Sequence, residues 1–345
     1  MNDPTPTAAP LAVTAELVAT AAPQDPWPSP RIAGYALFVF AIVLMFNFLD
    51  RGILNLLVTP IKRDLGLSDV QMSLLMGFAF SLFYVLLGLP IARLVDSRSR
   101  RLIMGTGIAI WSGMTALCGL AGNFSQLFIA RVGVGVGEAC NGPATYSMLS
   151  DLFPREKLPR AISFLNFGFV AGTGLALVIG GLVIKLLARV PEVHLPLIGT
   201  LHSWQLVFIV VGLPGLLVAA LMATMPEPKR RGVLALVQGG RAVPVKSLPV
   251  KQVVGFLVKN GPAYAPMFMG LACSSVLNFG IQAWAPTLFA RAYGWSASQA
   301  GLTLGILVIV TAPIGLLAGS ALAERFARQG RDDANWRVVV IAMCL

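Results

Sequence analysis

The chain has 345 residues, 56% of them hydrophobic and 12% charged, with a mean hydropathy of +0.78. Soluble domains carry about 25% charged residues; half that value, with 35 glycines and 23 prolines, excludes an ordinary soluble domain and predicts an all-α polytopic membrane protein. The net charge of +11 does not indicate a nucleic-acid binder, because Lys and Arg fall between apolar runs rather than on one basic face.

Residues 1–32 are rich in Pro, Ala and Thr and lack a basic region ahead of a short apolar core. They read as a disordered cytoplasmic tail rather than a cleaved signal. A membrane helix needs about 20 largely apolar residues. On that rule spans are predicted over 33–58, 70–92, 102–122, 124–149, 160–187, 204–225, 263–290 and 298–322. A ninth apolar run opens near Trp336 and reaches Leu345 after ten residues, a rise of about 15 Å. The chain therefore reads as about eight and a half spans, ending inside an element like a C-terminally truncated fragment.

Orientation follows from the cations in the connections. Nineteen Lys and Arg fall on the side of Arg31 and five on the other, with Arg51 and Arg131 left inside spans. This places the N-terminus in the cytoplasm. The Pro- and Lys/Arg-rich stretch 226–262 is then a basic cytoplasmic linker. It separates an N-terminal six-helix bundle, 33–225, from the start of a second and incomplete bundle, 263–345. Ala92, Asp96, Arg100 and Arg101 after the second span are echoed by Ser320, Glu324, Arg325 and Arg328 after the eighth, a weak internal repeat of the kind two-bundle carriers show.

Four ionisable side chains lie at lipid depth: Asp50 and Arg51 in the first span, Arg131 and Glu138 in the fourth. Each costs about 2.5–3.5 kcal/mol at the bilayer centre, so such residues face a cavity or a partner. Asp50 lies eight residues before position 58 and Arg131 seven after 124, both about 10–12 Å below the outer surface, so they are expected to meet as an ion pair. Arg131 and Glu138 are seven apart and share a helix face, which puts Glu138 near the midplane. Burial favours the neutral form of a carboxyl group, the property a proton carrier needs. Glu138 and Asp50 are therefore read as proton-coupling groups, and Arg51 and Arg131 as cations for an anionic substrate. Asn47, Tyr84, Asn166, Asn278 and Gln282 are further candidates for the cavity wall. Asp96, Arg100 and Arg101, with Glu324 and Arg325, read as a cytoplasmic gate. The alternating Gly133, Gly135 and Gly137 follow no strand and open no βαβ unit, so they do not make a dinucleotide loop. No Cys pair implies a disulfide or metal site, and His194 and His202 read as solvated loop residues.

With those residues in view, the chain resembles the major facilitator superfamily. The loop after the second span is similar to its signature at Asp96, Arg100 and Arg101, with Ala92, Ser97 and Ser99 departing from it. Arg131, Gly135 and Gly137 match the signature of the fourth span. Within that superfamily it looks like the Spinster group, through Asn47-Phe-Leu-Asp50-Arg51, Pro60-Ile-Lys62, Leu67-Ser-Asp69-Val-Gln71, Trp111-Ser112, Arg131 to Ala139 and Ser150-Asp151-Leu-Phe-Pro154. The resemblance implies a fold of two six-helix bundles and alternating access. It also implies an amphipathic lipid-like or organic-anion substrate moved with protons. The implied setting is a monomer in a bacterial inner membrane, without cofactor, metal or nucleic acid. An uncoupled facilitator or exporter and a non-transporting fragment are the alternatives. A membrane-embedded enzyme is disfavoured, since no nucleophile–base pair or metal cluster sits at cavity depth.

Overall fold

The computed structural model describes residues 17–19, 26–188, 192–195, 199–231, 234–238, 241–244, 250–331 and 333–344. Helix α1 spans Pro30–Leu56, with the Ser29 hydroxyl accepting from the Ile32 N–H and Pro30 at a position where its missing N–H costs nothing. The short α2 (Val58–Leu65) ends on Gly66 at φ +62°, a left-handed cap that glycine adopts without strain. Helix α3 (Asp69–Ser73), opened by a Ser68/Gln71 capping box, runs through one π-helical turn, Leu74–Phe78, into α4 (Ala79–Ser97). There follow α5 (Arg100–Cys118), α6 (Phe124–Glu138), α7 (Asn141–Leu152), α8 (Leu158–Leu187), α9 (Ser203–Thr224), α10 (Val250–Lys259), α11 (Gly261–Tyr293), α12 (Ala297–Arg328) and α13 (Ala334–Cys344).

Among the described residues, seven helical stretches are long and apolar enough to cross a membrane: Pro30–Leu56, Asp69–Ser97, Arg100–Cys118, Leu158–Leu187, Ser203–Thr224, Gly261–Tyr293 and Ala297–Arg328. The predicted span 124–149 is instead two helices, α6 and α7, parted at Ala139 and Cys140. The physical cause is local. Pro143 has no N–H to give the Ala139 carbonyl, and Gly133, Gly135, Gly137 and Gly142 weaken the helix on both sides. The break falls one residue after Glu138.

Short antiparallel strands occupy two connections. Strand β2 (Glu192–Leu195) pairs with β3 (Gly199–His202), Glu192 opposite His202. Strand β1 (Leu17–Ala19) pairs with β4 (Leu234–Gln238), which also pairs with β5 (Arg241–Pro244). Three residues of the expected disordered tail are thus in a strand against the linker. The rest of that tail, to residue 25, lies outside the described residues.

Two apolar cores stack along the first group of helices. One gathers Val39, Phe40, Val43, Met104, Ile108, Trp111 and Val134; the other gathers Leu49, Ile53, Leu75, Leu127, Trp204 and Phe208. Glycine sets how closely α6 approaches its neighbours. A Cβ on Gly137 would lie 2.6 Å from the Trp111 backbone nitrogen and 2.7 Å from the Gly107 carbonyl oxygen, and one on Gly135 2.5 Å from the Phe80 carbonyl oxygen. Gly137→Ala is expected to push α5 and α6 apart and lower stability by about 1–3 kcal/mol, the usual cost of overpacking. Thermal unfolding in detergent measures it.

Helices α11 and α12 pack on the first group at the end away from the basic cluster. A Cβ on Gly305 would fall 2.6 Å from the Gly174 carbonyl oxygen, and one on Gly301 2.8 Å from that of Leu177, so α8 and α12 cross almost backbone to backbone. Pro286, Thr287 and Ala300 are buried there. Toward the end that carries most of the cations, Phe268, Met269, Val276, Phe279, Ile314 and Leu317 are exposed. Among the described residues the two groups touch at the end away from the basic cluster, while toward it a Cβ on Gly168 of α8 or Gly315 of α12 would meet nothing within 4 Å.

Candidate functional site

Asn47 and Asp50 sit on α1 where the two apolar cores meet, with Val43 in one and Ile53 in the other. Asp50 is 2% exposed, Arg131 1% and Glu138 0%, while Arg51 is half-buried. The four charges gather in one cluster, and the ion pair in it is Arg51 with Glu138. Arg51 donates from Nη2 to Glu138 Oε2 at 2.6 Å and from Nε to the same oxygen at 2.9 Å. Its guanidinium lies 4.3 Å from the Phe80 ring centroid and 5.6 Å from that of Tyr84, two rings stacked 5.4 Å apart on α4. Arg131 approaches the Phe80 ring at 6.0 Å.

The expected ion pair between Asp50 and Arg131 is not made. Asp50 Oδ1, Asn47 Nδ2, Arg131 Nε and Nη1, and Glu138 Oε1 are buried without a hydrogen-bond partner among the described residues. The short Asp50 side chain stays close to α1, with Thr115 of α5 as polar neighbour and the charges of Glu138, Arg131 and Arg51 around it. The longer Arg51 crosses to the end of α6.

The remaining wall candidates are more loosely placed. Tyr84 belongs to the site through its stack beneath Arg51. Asn166 is exposed on α8. Gln282 donates to Asn278 at 2.9 Å, one turn away on an exposed face of α11, so these two satisfy each other. His202 lies half-exposed with Nδ1 3.8 Å from Asp64; the side chain of His194 lies outside the described residues. Cys118 and Cys140 are buried free thiols and Cys273 an exposed one. Among the described residues no three His, Cys, Asp or Glu gather to hold a metal.

At the basic end, the arrangement corrects the expected gate. Arg100 is fully buried and donates from Nη1 to Asp151, from Nε to Glu227 at 3.0 Å, and from Nη2 to the Pro228 carbonyl at 2.6 Å. Glu227 also accepts from the Ser99 hydroxyl at 2.8 Å and from the Arg101 N–H at 2.8 Å. Asp151 accepts from the Arg231 N–H at 2.7 Å. Asp96 is exposed and takes no part, because α4 carries it one position past the buried Val95, onto the outer face. Glu324 pairs not with Arg325 but with Arg328, one turn on, at 3.4 Å. The clasp lies wholly within residues 99–231 and fastens the start of the linker to the ends of α5 and α7. Asp151 and Glu227 were legible by the reasoning applied to Asp96: each is an acid at the basic end of a span, where charge topology calls for none.

Partial burial pushes the Glu227 carboxyl up, but the Arg101 N–H, the Ser99 hydroxyl and the Arg100 guanidinium together hold it below the usual glutamate range. Its stabilisation is therefore present above the ordinary pKa of about 4.3 and is lost as pH falls through the lower folded value. Glu227→Gln is expected to cost about 1.5–3 kcal/mol at pH 7, the value of hydrogen bonds to a charged group. Measured unfolding curves should show the gap to the parent chain closing as the medium is acidified through that range.

At the opposite end one ionic cluster joins the two helix groups. Asp69 accepts from Arg291 at 2.6 and 3.0 Å and from Lys62 at 2.7 Å, and the Arg291 guanidinium lies 5.8 Å from the Trp284 ring. Exposed pairs contribute about 0.2–1 kcal/mol. Asp69→Asn is thus expected to raise the population open at this end by up to about fivefold, seen as a longer component between spin labels placed across it.

The membrane-length helices, the two groups closed at one end and the buried four-charge cluster define a polytopic helical membrane protein with the architecture of a carrier. The chain belongs to the Major Facilitator Superfamily, whose sequence profile matches residues 40–345. It is 26% identical to an MFS-type efflux pump of Mycolicibacterium smegmatis over 318 residues, covering 92% of this chain and 68% of the pump. It is 25% identical to protein spinster homolog 1 of Xenopus laevis, covering 90% of this chain and 58% of that protein. A crystal structure of a bacterial homolog of the human lysosomal transporter Spinster, inward-facing and unoccupied, superposes with TM-score 0.71 at 30% identity. That match covers 88% of this chain and 64% of the solved one, so the chain spans a little under two thirds of the length of that structure. The expected Spinster-like resemblance and all-α fold are thereby found.

Proposed function

We propose that this chain forms the charged core of a secondary transporter that works by alternating access and couples protons to an amphipathic, lipid-like or organic-anion substrate. The observation that carries the reading is the Arg51–Glu138 pair at 2.6 Å, buried beside an unpaired Asp50 and Arg131. With all four ionised, the formal charges cancel. Protonating one carboxyl leaves a net positive charge, which an anionic group can neutralise. Proton and anion then favour each other's binding, a reciprocal coupling between two ligands.

Glu138 is the proton-carrying carboxylate in this reading. Neutralising it frees the Arg51 guanidinium, which turns with Arg131 to the substrate while Phe80 and Tyr84 support its apolar side. Asp50 shares the proton and sets the field at both arginines. Nineteen cations against five make the basic end cytoplasmic, so the open side faces the cytoplasm. Residues 33–225 form the first bundle, 226–262 the linker and 263–345 the start of the second, in a bacterial inner membrane and as a monomer. Vesicles containing the chain, loaded with a pH dye and given an imposed proton gradient, test the reading with a panel of lysophospholipids and aromatic carboxylates. Gradient-driven uptake accompanied by proton movement is expected. Uptake indifferent to the gradient would favour an uncoupled facilitator, in which Arg51 and Glu138 are a fixed staple between α1 and α6.

A further inference from the structure

Helix α10 is too short to cross a bilayer: its ten residues rise about 15 Å against a hydrocarbon core of about 30 Å. It is nonetheless strongly two-faced. At 100° per residue, Val253, Val254, Phe256, Leu257 and Val258 fall on one broad arc, and Lys251, Gln252, Gly255 and Lys259 on the other. Val253, Val254, Phe256 and Val258 are between 43% and 74% exposed. A helix facing water on all sides would not present them.

Its position indicates what covers them. Asn260 leaves helical geometry at φ −100°, ψ 20° and begins α11 immediately afterwards, with Pro262 in the first turn. The Asn260 side-chain amide donates back to the Phe256 carbonyl at 2.8 Å, closing α10. Phe256 lies 6.1 Å from Tyr264 and Tyr264 6.0 Å from Phe268, so an aromatic ladder joins α10 to the basic-end turns of a membrane span. Tyrosine concentrates at this level of a bilayer. From 232 to 262 the chain holds Arg241, Lys246, Lys251 and Lys259 and no Asp or Glu.

We propose that α10 lies along the bilayer surface at the basic end. Val253, Val254, Leu257 and Val258 enter the boundary between headgroups and acyl chains, and the helix face that carries positions 251 and 259, both lysines, lies toward anionic phospholipid headgroups. A nucleic acid or an acidic protein would answer the cations but not the apolar arc; an anionic bilayer answers both. The inference is independent of what the carrier moves.

The test uses the full chain in nanodiscs of phosphatidylcholine with or without phosphatidylglycerol. Spin labels go at Gln252, Val254 or Val258 in a chain whose four cysteines are alanine. Labels at 254 and 258 should show an oxygen-to-nickel accessibility ratio several-fold above that at 252. Backbone hydrogen exchange of 250–259 in the unmodified chain provides a second measurement. It should slow several-fold when phosphatidylglycerol is added, and Lys251→Gln with Lys259→Gln should abolish that slowing. Equal ratios at all three labels, exchange indifferent to phosphatidylglycerol, or equal protection by heparin in detergent without a bilayer would each overturn the proposal.

Discussion

Replacing Arg100 by glutamine is expected to lower the unfolding free energy by about 3–5 kcal/mol, the cost of removing one partner from a buried ionic network. The guanidinium is fully buried and serves Asp151, Glu227 and two backbone carbonyls, of Ser147 and Pro228, at once. Glutamine reaches at most two of these and leaves two acids facing each other without a cation. The cost lies less in the lost attraction than in the stranded charges. Arg100→Lys should recover only part of it, because a point charge cannot serve four acceptors spread around a planar fork. The double variant Arg100→Gln with Glu227→Gln should be less unstable than the two single losses added, since members of one network couple. Unfolding in mixed micelles, with the linker's protease sensitivity as a second readout, measures both. A loss below about 1 kcal/mol, the level of a surface pair, would mean that the clasp holds nothing.

Glu138→Gln is expected to eliminate proton-driven accumulation while leaving exchange of labelled for unlabelled substrate. Glutamine has the same shape and keeps a carbonyl oxygen where Arg51 Nη2 now reaches Glu138 Oε2 at 2.6 Å, so the side-chain contact between α1 and α6 is kept. What it removes is the titratable proton and one negative charge. The cluster then carries a net positive charge even with Asp50 ionised, and anion binding should tighten and depend less on pH. A staple would behave differently: stability would fall, and driven uptake and exchange would decline together. Arg51→Gln separates the roles further. It should weaken substrate binding and leave Glu138 fully buried without its cation, at an expected cost of about 3–5 kcal/mol when a buried pair is broken from one side. Driven uptake of normal size in Glu138→Gln would remove Glu138 from coupling.

Much of this site was visible before any coordinates. Charges at lipid depth are rare enough that Asp50, Arg51, Arg131 and Glu138 stood out, and helical spacing put Arg131 and Glu138 on one face. Their partners were not visible. Heights along two antiparallel helices matched Asp50 to Arg131, but the reach of the longer Arg51 side chain to the end of α6 gave Glu138 to Arg51 instead. Asp96 illustrates the same limit: an acid among arginines at a helix end looked like a gate, yet one residue of rotation turned it outward. Arg100, read as half of that gate, is the hub of a clasp with Asp151 and Glu227, the latter 127 positions away.

The amino-acid sequence alone determined that this chain is a multi-pass membrane protein, where seven of its eight predicted spans run and which end is basic. Those properties sum residue by residue, since each side chain partitions between water and lipid almost independently of its neighbours. Only the tertiary structure decided which charge meets which, where the fourth span breaks and at which end the two groups of helices close. Those outcomes turn on ångström-scale approaches between helices distant in sequence. Here Gly135 and Gly137 let α6 touch α4 and α5 beside the cluster, and Gly174, Gly301 and Gly305 let α8 touch α12.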